Sequence, residues 1–372
     1  MPQNPLVCIL FAATSLFSCA VAASDPAPDT QALNNPAIPM GIYSMPSASE
    51  WSLLKSFNAT LINRLAGLAV PDAQGALQRN RPGYFSVRFQ DGVTWTIVRG
   101  LYLRNAAVLE SGIKALEYAF GHQNPDGSFP IMVPPTLPAN LIPYPQDYAD
   151  ATTFFFSELG RSLILLDGNA WFQTSADTAD LRRRVGIIKE QADRSIDWLL
   201  TQQDLLIDYD TPLSNHLYYD GAGFYLVGRA LNRQDAIDVG IAFTELGLNA
   251  QWPNGVLPEL DGYDSSYQGV SLFRLFILYL NADPTDVVIR QRLWDAISSG
   301  IAWEQTRVKP SGEILSDGNS RVYPGGDKFL GVEKGISYVN IALSFYYYAV
   351  LTGDAGAKAV ADKIIAYYTT AH

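Results

Sequence analysis

The residue types best suited to proton chemistry are concentrated between Leu213 and Leu272. The stretch opens Leu213-Ser214-Asn215-His216-Leu217-Tyr218-Tyr219-Asp220 and closes Tyr263-Asp264-Ser265-Ser266-Tyr267-Gln268. An amide beside an imidazole can offer hydrogen bonds to one carboxylate. A phenol 51 residues after the histidine (267 − 216) can protonate a leaving oxygen. That set fits β-elimination from a uronic acid, in which the C5 proton is removed and the C4 oxygen expelled. The C5 proton is very weakly acidic while the neighbouring carboxylate keeps its charge, so donors that neutralise it stabilise the enolate-like charge that develops. Asn215 and His216 suit that task, and Tyr267 suits the general acid. For a syn elimination an ionised Tyr267 would also be the base. A phenol normally titrates near ~10, so a nearby cation would be needed. For an anti elimination His216 would be the base. Each residue alone also has a plainer reading: Asn215 as a helix cap, His216 as a packed histidine, and Tyr267 as one of 20 tyrosines.

In combination, the stretch resembles the alginate lyases of polysaccharide lyase family five, or a neighbouring toroidal lyase family. The matching residues are Asn215, His216, Asn232-Arg233-Gln234-Asp235, Gly255-Val256-Leu257-Pro258-Glu259-Leu260 and Tyr267-Gln268, about 60 residues in all. The resemblance implies an α/α toroid and a lyase acting on a polyuronate, alginate first and glucuronan second. It implies Asn215, His216 and Tyr267 as the catalytic set. Two positions depart from the pattern. Ser214 stands where the family has the first Asn of a pair, and Leu260 and Asp261 stand where it has an Arg shortly before its Tyr. Another cation must then fill that Arg's role.

An acidic polymer requires cations, yet the chain has 26 Lys+Arg against 37 Asp+Glu and a formal net charge of −11. Long-range attraction is therefore not expected, and local cations matter more. The best cluster is Arg321, Lys328 and Lys334, around the Gly-rich stretch Ser320–Gly331. Gln123 and Asn124 sit in a loop expected to line the cleft, and Tyr218 and Tyr263 are candidates to stack on sugar rings. The acidic balance and the lack of a Lys/Arg block argue against nucleic acid. No cofactor is expected. Metal is not expected either: Asp204, Asp208 and Asp210 lack the Gly and terminal Glu of a calcium loop, and no histidines stand at i, i+4. The chief rival is a glycoside hydrolase with paired carboxylates, drawn from Asp147 and Asp150, Glu259 with Asp261 or Asp264, or Glu313 with Asp317. A non-enzymatic carbohydrate-binding protein of the cell envelope is a further alternative.

The elements that must position these residues read as helical from about residue 49 onward. Apolar residues at helical spacing mark segments at 98–120, 150–167, 181–203, 220–232, 234–248, 268–281, 286–304, 335–352 and 355–370. Residues 81–97 read as a short hairpin or an irregular loop. A weak repeat places Gln and then a Gly turn after a helix: Gln123 to Phe129, Gln251 to Leu257, and Gln305 leading to Pro310-Ser311-Gly312. Helix pairs of ~50 residues with turns at one phase predict an all-α, single-domain α/α toroid, an incomplete or closed ring over 49–372.

Ahead of that domain, Leu6–Ala23 is an apolar run read as a signal peptide (1–23), followed by a Pro-rich extended arm (24–48). The expected destination is secreted or periplasmic, with no membrane span after cleavage. Leu16-Phe17-Ser18-Cys19 is a loose lipobox and gives a lipoprotein alternative. Both cysteines lie in this leader, so a mature monomer would have none.

Overall fold

A computed structural model describes residues 43–133, 143–329 and 332–371. The leader, its Cys19 and most of the 24–48 arm lie outside the described residues. The described chain forms fourteen α-helices and one small antiparallel hairpin. They are α1 (Glu50–Leu54), α2 (Ala59–Ala66), α3 (Val93–Leu103), α4 (Ala106–Phe120), α5 (Pro145–Asp167), α6 (Ala170–Thr174), α7 (Ala179–Leu200) and α8 (Gln203–Asp210). There follow α9 (Ser214–Leu231), α10 (Gln234–Ala250), α11 (Ser265–Asn281), α12 (Val287–Gln305), α13 (Tyr338–Thr352) and α14 (Ala355–Ala371), with β1 (Lys328–Phe329) and β2 (Val332–Glu333) before α13.

The architecture is an all-α, toroid-like single domain. Helices α3, α5, α9, α11 and α13 pack side by side, and α4, α7, α10, α12 and α14 lie outside them. Burial distinguishes the two layers. In α11, SSYQGVSLFRLFILYLN, every residue is buried, as an inner helix covered on all sides must be. In α10 only Ala236, Gly240, Phe243, Thr244 and Gly247 are buried, a single stripe that faces α9. Two bridging contacts join α13 to α3. Phe57, between α1 and α2, packs edge-on against Tyr346 and Tyr347 of α13. Its carbonyl accepts a hydrogen bond from Tyr102 of α3 at 2.8 Å.

The repeat has a physical cause. Four turns share one hydrogen-bond pattern: Asp72–Ala76, Asn124–Ser128, Trp252–Val256 and Lys309–Glu313. In each, the first residue's N–H donates to the carbonyl four residues on, and the glycine N–H donates back to the first residue's carbonyl. The glycines, Gly75, Gly127, Gly255 and Gly312, have φ of +91° to +97°. A Cβ on each would fall 2.1–2.4 Å from a carbonyl oxygen of α4, α7, α12 or α14 respectively. The turns thus dock directly on the outer helix backbones, which only glycine permits.

One local expectation needs correction, and one open reading resolves to its second alternative. The segment 98–120 is two helices, because Arg104 turns left-handed (φ +49°) and Asn105 caps α4 by accepting from the Val108 N–H. The segment 81–97 is an irregular loop with one 3-10 turn, Val87–Gln90, and α3 already begins at Val93.

Candidate active site

Asn215 and His216 lie in the first turn of α9. The helix is capped by Leu213, whose extended backbone pairs with Glu259, so Asn215 is not the cap. The Asn215 N–H donates instead to Glu259 Oε1 at 2.8 Å. Both amide atoms of the Asn215 side chain are buried with no protein partner among the described residues. His216 differs. Its Nδ1 lies 2.7 Å from Asp210 Oδ1 and 3.0 Å from Asp150 Oδ1. Its Nε2 is buried and has no partner among the described residues. Buried polar atoms left in this way call for a water, an ion or a ligand to complete them.

Tyr267 lies in the first turn of α11, whose cap is Asp264. Asp264 Oδ1 accepts from the N–H groups of Ser266 and Tyr267, and Oδ2 accepts from those of Arg321 and Val322 at 3.0 and 2.7 Å. One carboxylate therefore ties the helix to the Gly-rich loop. That loop supplies the cations. Lys334 Nζ donates to the Tyr267 hydroxyl at 2.8 Å, and the Arg321 guanidinium lies 4.1 Å above the Tyr267 ring. Both cations share Asp327 Oδ2 at 3.0 Å, and Arg321 also donates to Glu259 Oε2 at 2.8 Å. Burial opposes the Arg321 charge, but Tyr267, Glu259 and Asp327 outweigh it and raise its pKa. Glu259 thus joins the two halves of the site, with Asn215 on one oxygen and Arg321 on the other. Burial pushes its carboxyl up, against the pull of Arg321 and the Asn215 N–H.

A stacked column backs this arrangement. Arg88 lies 3.6 Å over Phe154, Phe154 stacks at 3.6 Å on Tyr219, and Arg274 lies 4.2 Å over Tyr219. Asp150 and Glu158 close its two ends at 2.6 Å. His216 meets Phe154 edge-on at 5.2 Å. Tyr267 belongs to the same buried apolar cluster as Phe154 and Tyr219, with Val270 and Val322. Imidazole and phenol therefore border one small set of rings.

Four carboxyls surround His216, and their ionisation differs. Burial works against the charge of Asp150, but His216 and Arg88 hold its pKa below the usual carboxylate value. Burial pushes Asp147 up to about 6. It pushes Asp210 and Asp220 well above the ordinary range, each further raised by neighbouring carboxylates. Asp150, Asp210 and His216 bring one ligand atom each within 4.8 Å of the others. The distances are those of hydrogen bonds through the Nδ1 proton, and Arg88 holds the other Asp150 oxygen. A dication there would have to displace that proton beside a guanidinium, so the donor set does not fit a metal.

The remaining candidates scatter. Gln123 spends its amide on the Gln191 carbonyl and Ser195 Oγ, and Asn124 spends its on Ser128 Oγ, both in the repeat turn. Tyr218 is wholly buried, with its ring against Gly247 of α10. Tyr263 hydrogen-bonds the Asp317 carbonyl and packs on Trp303. Lys328 is exposed on β1. In the sequence Arg88 is unmarked, and Asp210 stands out only as part of an incomplete calcium loop. Only their distance to Asp150 and His216 in space reveals them.

No known family model and no curated protein matches the chain. Among solved structures, one titled "Crystal structure of sugar epimerase from ruminal bacterium" aligns with a TM-score of 0.47 and 10% identity, over 82% of this chain and 86% of that chain.

Proposed function

We propose that the protein is an exported polysaccharide lyase that cleaves a polyuronate by β-elimination, with alginate the first substrate and glucuronan the second. The observation that carries the reading is the Lys334–Tyr267 hydrogen bond. The ammonium has no acceptor to offer, so it donates to the phenol oxygen and leaves the phenolic proton free to point elsewhere. The same charge, with Arg321 over the ring, stabilises the oxygen once its proton is given up. A proton-carrying tyrosine needs both properties. Asn215 and His216, with three unpartnered polar atoms between them, are suited to grip the C5 carboxylate. Lys334 and Arg321 fill the part of the Arg that the family resemblance leaves vacant before Tyr267. They also supply positive charge on a chain of net charge −11. The reaction as written calls for no cofactor.

A glycoside hydrolase is the second reading. It is favoured by the split between Asp150, held ionised, and Asp147, raised to about 6, as an acid and base pair would be. A panel of polyuronates assayed by ultraviolet absorbance decides between them. The wild type is expected to generate unsaturated ends, and Tyr267→Phe to generate none. Elimination retained by Tyr267→Phe removes the phenol from the mechanism.

A further inference from the structure

An imidazole has two nitrogens, and at His216 one of them is already committed. Nδ1 faces Asp150 and Asp210 at 3.0 and 2.7 Å, while Nε2 faces no partner among the described residues. We propose that Asp150 and Asp210 are positioning residues for His216: together they hold the Nδ1 proton, so that Nε2 is the ring nitrogen left to present an N–H to the uronate carboxylate. The activity arm of this inference rests on the lyase reading above; the geometric arm does not.

The Arg88–Asp150 contact fixes the proton's place. Arg88 donates to Asp150 Oδ2 at 2.6 Å and keeps that carboxylate ionised. An ionised carboxylate only accepts, so a bare Nδ1 at 3.0 Å would set lone pair against lone pair. Nδ1 therefore bears hydrogen, shared between Asp150 Oδ1 and the nearer Asp210 Oδ1. Phe154, edge-on at 5.2 Å, and Tyr209, at 6.5 Å, fix the ring plane. The other charged groups felt there are Asp147, Asp220 and Glu259, each of which registers the His216 charge. A purely structural ion pair would leave Nε2 satisfied as well. Here Nε2 and both amide atoms of the neighbouring residue Asn215 are buried without partners among the described residues, and a buried orphan of this kind is destabilising unless something fills it.

The chain has three histidines, His122, His216 and His372, so nitrogen NMR on protein labelled with ¹⁵N-histidine resolves them. The expected result is an Nδ1 of His216 that stays protonated. A bare Nδ1 with hydrogen on Nε2, or an Nδ1 bound to metal, overturns the proposal. In the Asp150→Asn variant, kcat on the cleaved polyuronate is expected to fall about 100-fold, more than KM changes. An unchanged kcat also overturns the proposal. If Asp150→Asn does not fold, Asp210→Asn is read in the same way. If the wild type cleaves no polyuronate, the lyase reading falls, and the nitrogen measurement alone decides the positioning role.

Discussion

Replacing Lys334 with Met removes the ammonium from the Tyr267 oxygen while keeping most of the side chain's volume. Lys334 and Tyr267 are both almost fully buried, so the 2.8 Å contact is little screened by water. A hydrogen bond to a charged group is worth about 1.5–3 kcal/mol. If that stabilisation is felt mainly as the phenol gives up its proton, kcat falls roughly 10- to 150-fold at 1.4 kcal/mol per decade. Arg321 limits the structural damage, because its Nε still pairs with Asp327 at 3.0 Å once Lys334 is gone. The fold should therefore survive, which circular dichroism and thermal melting would check. The assay is the initial rate of unsaturated product from the best polyuronate, with kcat and KM measured separately. Lys334→Arg should recover part of the loss. A folded Lys334→Met protein with wild-type kcat would refute the assignment of Lys334 to the proton step.

Three further outcomes follow from the packing. Asp147 has a folded pKa of about 6 against an ordinary 3.8, so the folded state holds its proton more tightly than the unfolded one. Its contribution is full below about pH 4 and is lost as pH rises toward 6, an amount of order 3 kcal/mol. The stability difference between wild type and Asp147→Asn, followed by urea unfolding, should change with pH over that window and be flat outside it. Gly127→Ala places a Cβ 2.2 Å from the Arg194 carbonyl oxygen at φ +92° and should cost at least about 1–3 kcal/mol in the same assay. Glu50→Ala leaves Arg161 without its 2.6 Å partner in a fully buried pair, and a loss of about 3–5 kcal/mol in denaturant unfolding is expected.

Much of the helical frame was legible because burial writes periodicity into the sequence. The run Val339–Leu351, apolar on more than one face, reads as a helix packed on two sides, and α13 packs against both α11 and α14. The Gly turns were visible too, since a left-handed backbone pressed on a neighbouring carbonyl admits little else. The break at Arg104 was hidden, because nothing in its side chain favours the left-handed turn that separates α3 from α4. The site was legible only where it is local. Asn215 and His216 are adjacent, and Tyr267 follows at a readable distance. The groups that pair around them come from far away: Arg88 reaches Asp150 across 62 residues, and Lys334 reaches Tyr267 across 67. Ion pairs at such separations leave no periodic trace. Gln123 and Asn124 illustrate the converse. Their loop repeats in sequence because it locks helices together, which is reason enough for their polar side chains.

Elimination and hydrolysis differ in the fate of one water oxygen, and that difference can be weighed. Polyuronate digested by the wild-type protein and analysed by mass spectrometry should give oligosaccharides that have gained no water at the cut, with a double bond at each new non-reducing end. Products one water heavier, with saturated non-reducing ends, would contradict the account.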